Sequence, residues 1–204
     1  MEPARTRLQV DVRRQQLLDL GLRLFATRSF DDVSIEGIAK EAGVSKGLLY
    51  HYYPSKRALY VAAVREAARQ LLEETNVDAY GTGAQPDPEG RRKALRAFLD
   101  YVERHRLVYA FLLRGGIGTD PEVAEILEST REALVNRMLS RLGRFGAQSN
   151  DPATRLLLRG WLGFVEAASL DWAERQELDA DSFLEVLVRM SGAVFAEVLE
   201  PSVP

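Results

Sequence analysis

Not one of the 204 residues is cysteine. Disulfides, thiolate metal sites and thiol nucleophiles are therefore excluded, and the composition suits a reducing compartment. Histidine is almost as scarce. His51 and His105 stand alone, and neither forms a Glu-x-x-His pair. A carboxylate-bridged di-metal centre has no ligands at the required spacing, so neither a metal nor a cofactor is expected. No stretch approaches the roughly 18 uninterrupted apolar residues of a membrane span. Residues 1–16 are basic and polar, without the apolar core of a secretory signal. Alternating strand patterns are missing as well. The Gly115-Gly116-Ile117-Gly118 loop follows no strand and is too sparse to cradle a phosphate. Together these absences argue against an enzyme and for a cytoplasmic, all-α protein with no membrane partner.

The charge is unevenly placed. The chain carries 27 basic and 30 acidic groups, a net −3. Residues 1–60 hold 10 Lys and Arg against 7 Asp and Glu, a net +3, whereas the remainder holds 17 against 23, a net −6. A basic module on an acidic body suits a protein that meets phosphate at one end only.

Helical periodicity runs almost throughout. A first helix is expected over about 12–27, with Leu17, Leu20, Leu24 and Phe25 on one face. Ser34 has the character of an N-cap for a short helix over 35–41, which turns Ile35, Ile38 and Ala39 inward. Gly43 suits a left-handed stop, Ser45 caps a third helix over 46–53, and Pro54 ends it. A long fourth helix follows from Ser55 to about 77. The breaker-rich stretch from Gly81 to Pro88 marks a domain boundary. Residues 1–60 then form an N-terminal domain, the fourth helix is a connector, and 78–204 form a helical C-terminal domain. Its helices are expected over 89–104, 107–113, 121–144, 152–175 and 180–199, with Pro121 and Pro152 in first turns.

Two short helices joined by Ala42-Gly43-Val44-Ser45 have the spacing of a helix-turn-helix. The second must be short, exposed and narrow at its leading end to enter a DNA major groove about 12 Å wide. It begins Ser45-Lys46-Gly47, a cation beside a residue without a side chain, while Leu49 on the opposite face can anchor it to Ile38 and Phe25. Arg5, Arg7, Arg13 and Arg14 read either as a solvated face or as an arm for the minor groove.

The full run from Ser34 to Leu59, including Lys46-Gly47, Tyr50 and Ser55-Lys56, resembles the DNA-binding signature of the tetracycline-repressor-like (TetR) family. The resemblance covers about residues 14–60. It implies a three-helix DNA-binding domain and a variable helical domain that dimerises and binds a small-molecule effector. Carried over by position, Ser34 would hold a phosphate, Lys46 and Gly47 would face base edges, and Tyr50, His51 and Lys56 would grip the backbone. Leu48 stands where the family usually has a small hydroxyl residue, which exchanges a phosphate donor for a group able to meet a thymine methyl. Tyr52 replaces a common histidine and keeps a hydroxyl donor; Ser29 replaces a common glycine. The implied partners are palindromic double-stranded operator DNA, a second copy of the chain and an unidentified effector.

Beyond residue 78 the reading rests on apolar content. Phe98, Tyr101, His105, Tyr109, Trp161 and Phe164 are candidate effector-pocket residues, with Arg114 as the cation for an anionic effector. The last two helices are apolar around much of their circumference, which suits a four-helix interface between copies. Val165, Ala168, Val186, Met190 and Val194 are its candidate residues.

Overall fold

The computed structural model describes residues 3–76, 88–114, 120–147 and 151–199, with side chains for all of these except 3–11 and 114. Among the described residues the secondary structure is helical, without strand. In chain order the helices are α1 (Pro3–Thr27), α2 (Ile35–Glu41), α3 (Lys46–Tyr52), α4 (Lys56–Glu74) and α5 (Pro88–Arg104). They continue as α6 (Arg106–Arg114), α7 (Pro121–Leu142), α8 (Pro152–Arg175) and α9 (Ala180–Leu199). The Gly115–Gly118 loop and most of the Gly81–Pro88 stretch lie outside the described residues.

Helix α1 starts nine residues ahead of the expected position 12. Arg13 and Arg14 are therefore helical, and Arg14 lies over the Tyr53 ring at 5.8 Å. The later boundaries follow local chemistry closely. Asp151 accepts from the amides of Ala153 and Thr154, so α8 opens on Pro152 with its first donors satisfied. Its C-terminal end turns through Gln176 in a left-handed conformation, and the Trp172 indole donates to the Leu178 carbonyl at 2.8 Å.

The chain divides into two compact units. The first joins Met1–Arg69 to Leu107–Ile126, and the second joins Gln70–Arg106 to Leu127–Pro204. The expected break at 60 and 78 misses the return of 107–126 to the first unit, because that return rests on contacts far apart in sequence. In the first unit, Tyr60 packs edge-on against Phe25, Phe30 and Phe111, with ring centroids 5.0, 5.2 and 5.4 Å away. Asp120 completes the attachment. Its carboxylate takes two bonds from Arg57, from Nε at 2.7 Å and Nη2 at 2.9 Å, and also accepts from the Glu122 and Val123 amides at the start of α7. Arg57 is first among the causes that hold this carboxyl below its usual range, ahead of the two amides.

In the second unit α5, α8 and α9 pack on one another around Leu99, Val102, Leu158, Trp161, Leu187 and Phe195. Surface pairs such as Arg92 with Glu185 and Arg131 with Glu166 lace its helices together. Such exposed pairs contribute little individually.

Asp120→Asn should separate charge from capping, since asparagine caps a helix about as well as aspartate. The variant should melt below the wild type at neutral pH. A carboxyl with a depressed folded pKa contributes stability above its unfolded pKa and loses it as pH falls through the folded one. The melting difference should therefore narrow below about pH 4. A difference unchanged between pH 7 and pH 3 would show that charge is not what Asp120 supplies.

Candidate nucleic-acid interface

Helix α2 is opened by Ser34, whose hydroxyl oxygen accepts from the Gly37 amide at 2.9 Å. It closes through Gly43, at φ +65, where an L side chain would be strained. The Gly43 amide donates to Lys40 and the Val44 amide to the Ala39 carbonyl, a Schellman arrangement that uses up the orphan carbonyls. Ser45 then caps α3 by accepting from the Leu48 amide at 3.1 Å. A helix of seven residues has little stability of its own. It is held by Leu49, 0% exposed, and by Tyr53 just beyond it, whose hydroxyl donates to the Arg14 carbonyl.

With Leu49 and Tyr53 inward, the opposite side of α3 presents Lys46, Gly47, Leu48, Tyr50 and His51 to solvent. Leu48 and Tyr50 are among the few large apolar side chains left exposed, at 38% and 40%. Tyr52 is half-buried and meets His51 edge-on at 5.5 Å. Gly47 is the informative position. A Cβ built there would meet nothing nearer than the Ser45 hydroxyl at 4.0 Å. Glycine inside a helix costs about 0.5–1 kcal/mol relative to alanine, and no neighbour within the chain requires the omission. A surface that gives up stability to stay bare at its leading edge is shaped for close approach by something else.

The cations are not idle. Lys46 pairs with Glu36 on α2 and sits 5.7 Å from the Tyr50 ring. Lys46 holds the Glu36 carboxyl below its usual range, and Glu36 in turn raises the ammonium. Lys56 donates to the Phe30 carbonyl at 2.8 Å and lies over the Phe30 ring at 4.2 Å, so one expected backbone contact also fastens the segment after α1 to the head of α4. The Ser34 oxygen accepts the cap bond, and its O–H remains able to donate.

In the second unit a cavity of about 130 Å³ opens among α5, α7, α8 and α9. Phe98 and Trp161 line it, as does Val165, which the sequence reading assigned to the dimer face. Tyr101 is fully buried, and His105 is half-buried with Nε2 3.1 Å from Glu74; neither lines the cavity. Tyr109 is a core residue of the first unit. The side chain of Arg114 lies outside the described residues. Phe164 stacks on Trp161 from the solvent side. What the aromatic reading missed are three arginines in the cavity wall, Arg91, Arg137 and Arg141. Met190 is exposed, while Ala168, Val186 and Val194 are half-buried.

Residues 17–63 match the bacterial regulatory proteins of the tetR family, and 89–194 match the tetracyclin repressor-like C-terminal domain. A regulator named BetI from Stenotrophomonas maltophilia is 37% identical over 161 residues, 76% of this chain and 78% of that protein. A transcriptional activator named FasR from Mycolicibacterium smegmatis is 26% identical over 91% of this chain and 84% of its own length. A solved tetR-family regulator from Streptomyces coelicolor superposes with a TM-score of 0.73 at 29% identity, covering 93% of this chain and 89% of that one.

The Glu36–Lys46 pair can be measured directly. An NMR titration should place the Glu36 carboxyl below the ordinary glutamate range, and Lys46→Met should return it upward. Identical titration curves in the two proteins would mean that the pair does not persist in solution.

Proposed function

We propose, from the premise that this chain belongs to the TetR family of bacterial transcriptional regulators, that it is a homodimeric repressor which a small organic effector releases from a palindromic operator. As a family member it is a DNA-binding transcriptional regulator and not an enzyme. Among the described residues no helix is long and apolar enough to cross a membrane. The finer reading adds the contacts, the assembly, repression, the effector and a cytoplasmic setting.

The bare leading edge of α3 carries this reading. Gly47 lets the helix backbone approach base edges, and Lys46 beside it reaches guanine acceptors once DNA displaces Glu36. Tyr50, His51 and Tyr52 flank that edge with donors for phosphate, joined by the Ser34 hydroxyl and the remaining donors of Lys56. Leu48 is available to a thymine methyl.

Assembly is supported by an apolar face that the protomer leaves open. Leu156, Gly160, Gly163, Phe164 and Ala167 are exposed at helical spacing along α8, and Met190 and Ala193 along α9. The glycines permit close approach of a second copy. A two-fold dimer places its α3 helices in successive major grooves about 34–36 Å apart, which is why the operator is read as a palindrome. Val165 has a place inside the protomer, so the outward residues, not the full stripe, form this face.

The reading is tested at the DNA and at the dimer face. Genomic fragments selected with the purified protein should contain a palindrome, and a reporter behind it should be silenced; activation would overturn repression. Against that fragment Gly47→Ala should bind more weakly, by roughly 1–3 kcal/mol for a lost base contact. It should nevertheless melt higher, gaining about 0.5–1 kcal/mol. Unchanged DNA affinity in a stabilised protein would remove Gly47 from the interface. Phe164→Glu should sediment as a monomer with wild-type helicity, because the residue is already at the protomer surface. A dimer of undiminished affinity would move the interface elsewhere.

A further inference from the structure

Most arginines of the second unit have a carboxylate. Arg92 pairs with Glu185, Arg96 with Asp181, Arg104 with Glu74, Arg131 with Glu166, and Arg159 with Glu128. Two arginines of the cavity wall, Arg91 and Arg137, depart from this habit. They line it together with Arg141, Phe98, Trp161 and Phe195, and among the described residues the lining contains no Asp or Glu. Arg91 stands 5.9 Å from the Phe195 ring centroid, and its Nε is buried without a hydrogen-bond partner. Arg137 spends its Nη2 on the Leu72 carbonyl at 2.8 Å and its Nη1 on the Thr75 hydroxyl at 3.4 Å, both uncharged acceptors. Burial and then the neighbouring charge of Arg141 push the Arg137 pKa down. Burying cationic groups in an apolar wall is costly unless an anion answers them.

We propose that this cavity binds an amphiphilic organic anion, a monocarboxylate whose head group meets Arg91 and Arg137 and whose apolar body lies against Phe98, Trp161 and Phe195. The proposal rests on the reading of this cavity as the effector site and names the chemical class of the effector. Guanidinium groups favour carboxylate because two parallel N–H donors match its two oxygens. Size narrows the class further. An engineered apolar cavity of about 150 Å³ holds a benzene ring, so about 130 Å³ suits a single ring or a short acyl chain. A wall in which Arg91 and Arg137 meet no carboxylate among the described residues also selects against cations, quaternary ammonium compounds included.

The test uses three probes with one body and different heads: 3-phenylpropionate, 3-phenylpropanol and 3-phenylpropyl-trimethylammonium, each titrated calorimetrically into the full-length protein. The carboxylate should bind, the alcohol at least about tenfold more weakly, and the ammonium not at all. Arg91→Gln should weaken the carboxylate by about tenfold or more while leaving the alcohol unchanged, and Arg91→Lys should recover part of the loss. Ala94→Phe fills the lined space without altering a charge and should abolish both. The alcohol or the ammonium binding as tightly as the carboxylate, or no probe binding, overturns the proposal. A final arm adds the carboxylate to the complex with selected DNA. Binding at Arg91 that leaves the DNA complex intact would preserve the anion site and sink the effector reading. Release of DNA by the ammonium alone would do the reverse.

Discussion

One carboxylate decides what the first unit contains. Asp120 satisfies the leading amides of α7 and takes both arms of Arg57, the second residue of α4. Without it, the two donor sets would compete for water at a largely buried position. With it, residues 107–126 become part of the DNA-binding unit, although they follow α5 in sequence. Phe111 adds an apolar contact to the same attachment by closing the aromatic chain that runs through Tyr60 to Phe25. Arg57 follows directly on Lys56, which is tied to the Phe30 carbonyl. The first turn of α4 is thus fixed by two adjacent cations reaching different parts of the unit.

That fixation is what allows α3 to be so poorly built as a helix. It has seven residues, a glycine in its first turn and no acidic residue of its own there. It persists because a serine caps it, a Schellman turn aims it, and Leu49 and Tyr53 bury its inner side. Most of these devices lie at its ends or on the face turned away from solvent. The outer face keeps a bare backbone, a cation beside one exposed phenol ring, and an imidazole. Local propensity and tertiary packing disagree here, and such disagreement is expected where a surface is shaped for a partner.

The same contrast explains what could be read from the chain alone. Caps, glycine stops and N-terminal prolines act within a few residues, so α2, α3, α8 and α9 were legible to within a residue or two. The start of α1 was not, because residues 3–11 are mostly polar in sequence and carry too few apolar residues to mark a helical face. Asp120 and Arg57 are 63 residues apart, and nothing in composition announces their meeting. In the second unit, aromatic rings proved weak guides. Tyr101 and Tyr109 are as apolar in sequence as Phe98 and Trp161, yet the first two are core and the latter two line the cavity. A better signal was present in α7. Arg137 and Arg141 are like charges four residues apart beside Leu134 and Met138, with no acid at helical spacing from Arg137. Like pairs at that spacing destabilise a helix, and this is the local signal that goes with the anion site proposed for the cavity.

The cations of the two units are kept in different conditions, and the difference suits their tasks. Lys46 is paired with Glu36, and both are well exposed. An exposed pair is weak and screened by salt, so in the proposed reading DNA would displace the carboxylate at little cost. Arg91 and Arg137 have no carboxylate partner among the described residues and are half-buried, so the proposed anion would relieve an existing penalty. Linkage then constrains how the two sites speak to each other. Whatever factor an anion in the cavity imposes on operator affinity, the operator must impose on the anion, typically 1–3 kcal/mol of coupling in such switches. Helices α4 and α7 run covalently from one unit into the other. Arg137 lies on α7, which Asp120 caps, and its Leu72 and Thr75 partners lie in or just beyond the last turn of α4, which Lys56 begins. In the proposed reading, an anion that draws Arg137 away from Leu72 and Thr75 would act on α4 and α7, the two helices whose other ends Arg57 and Asp120 tie together.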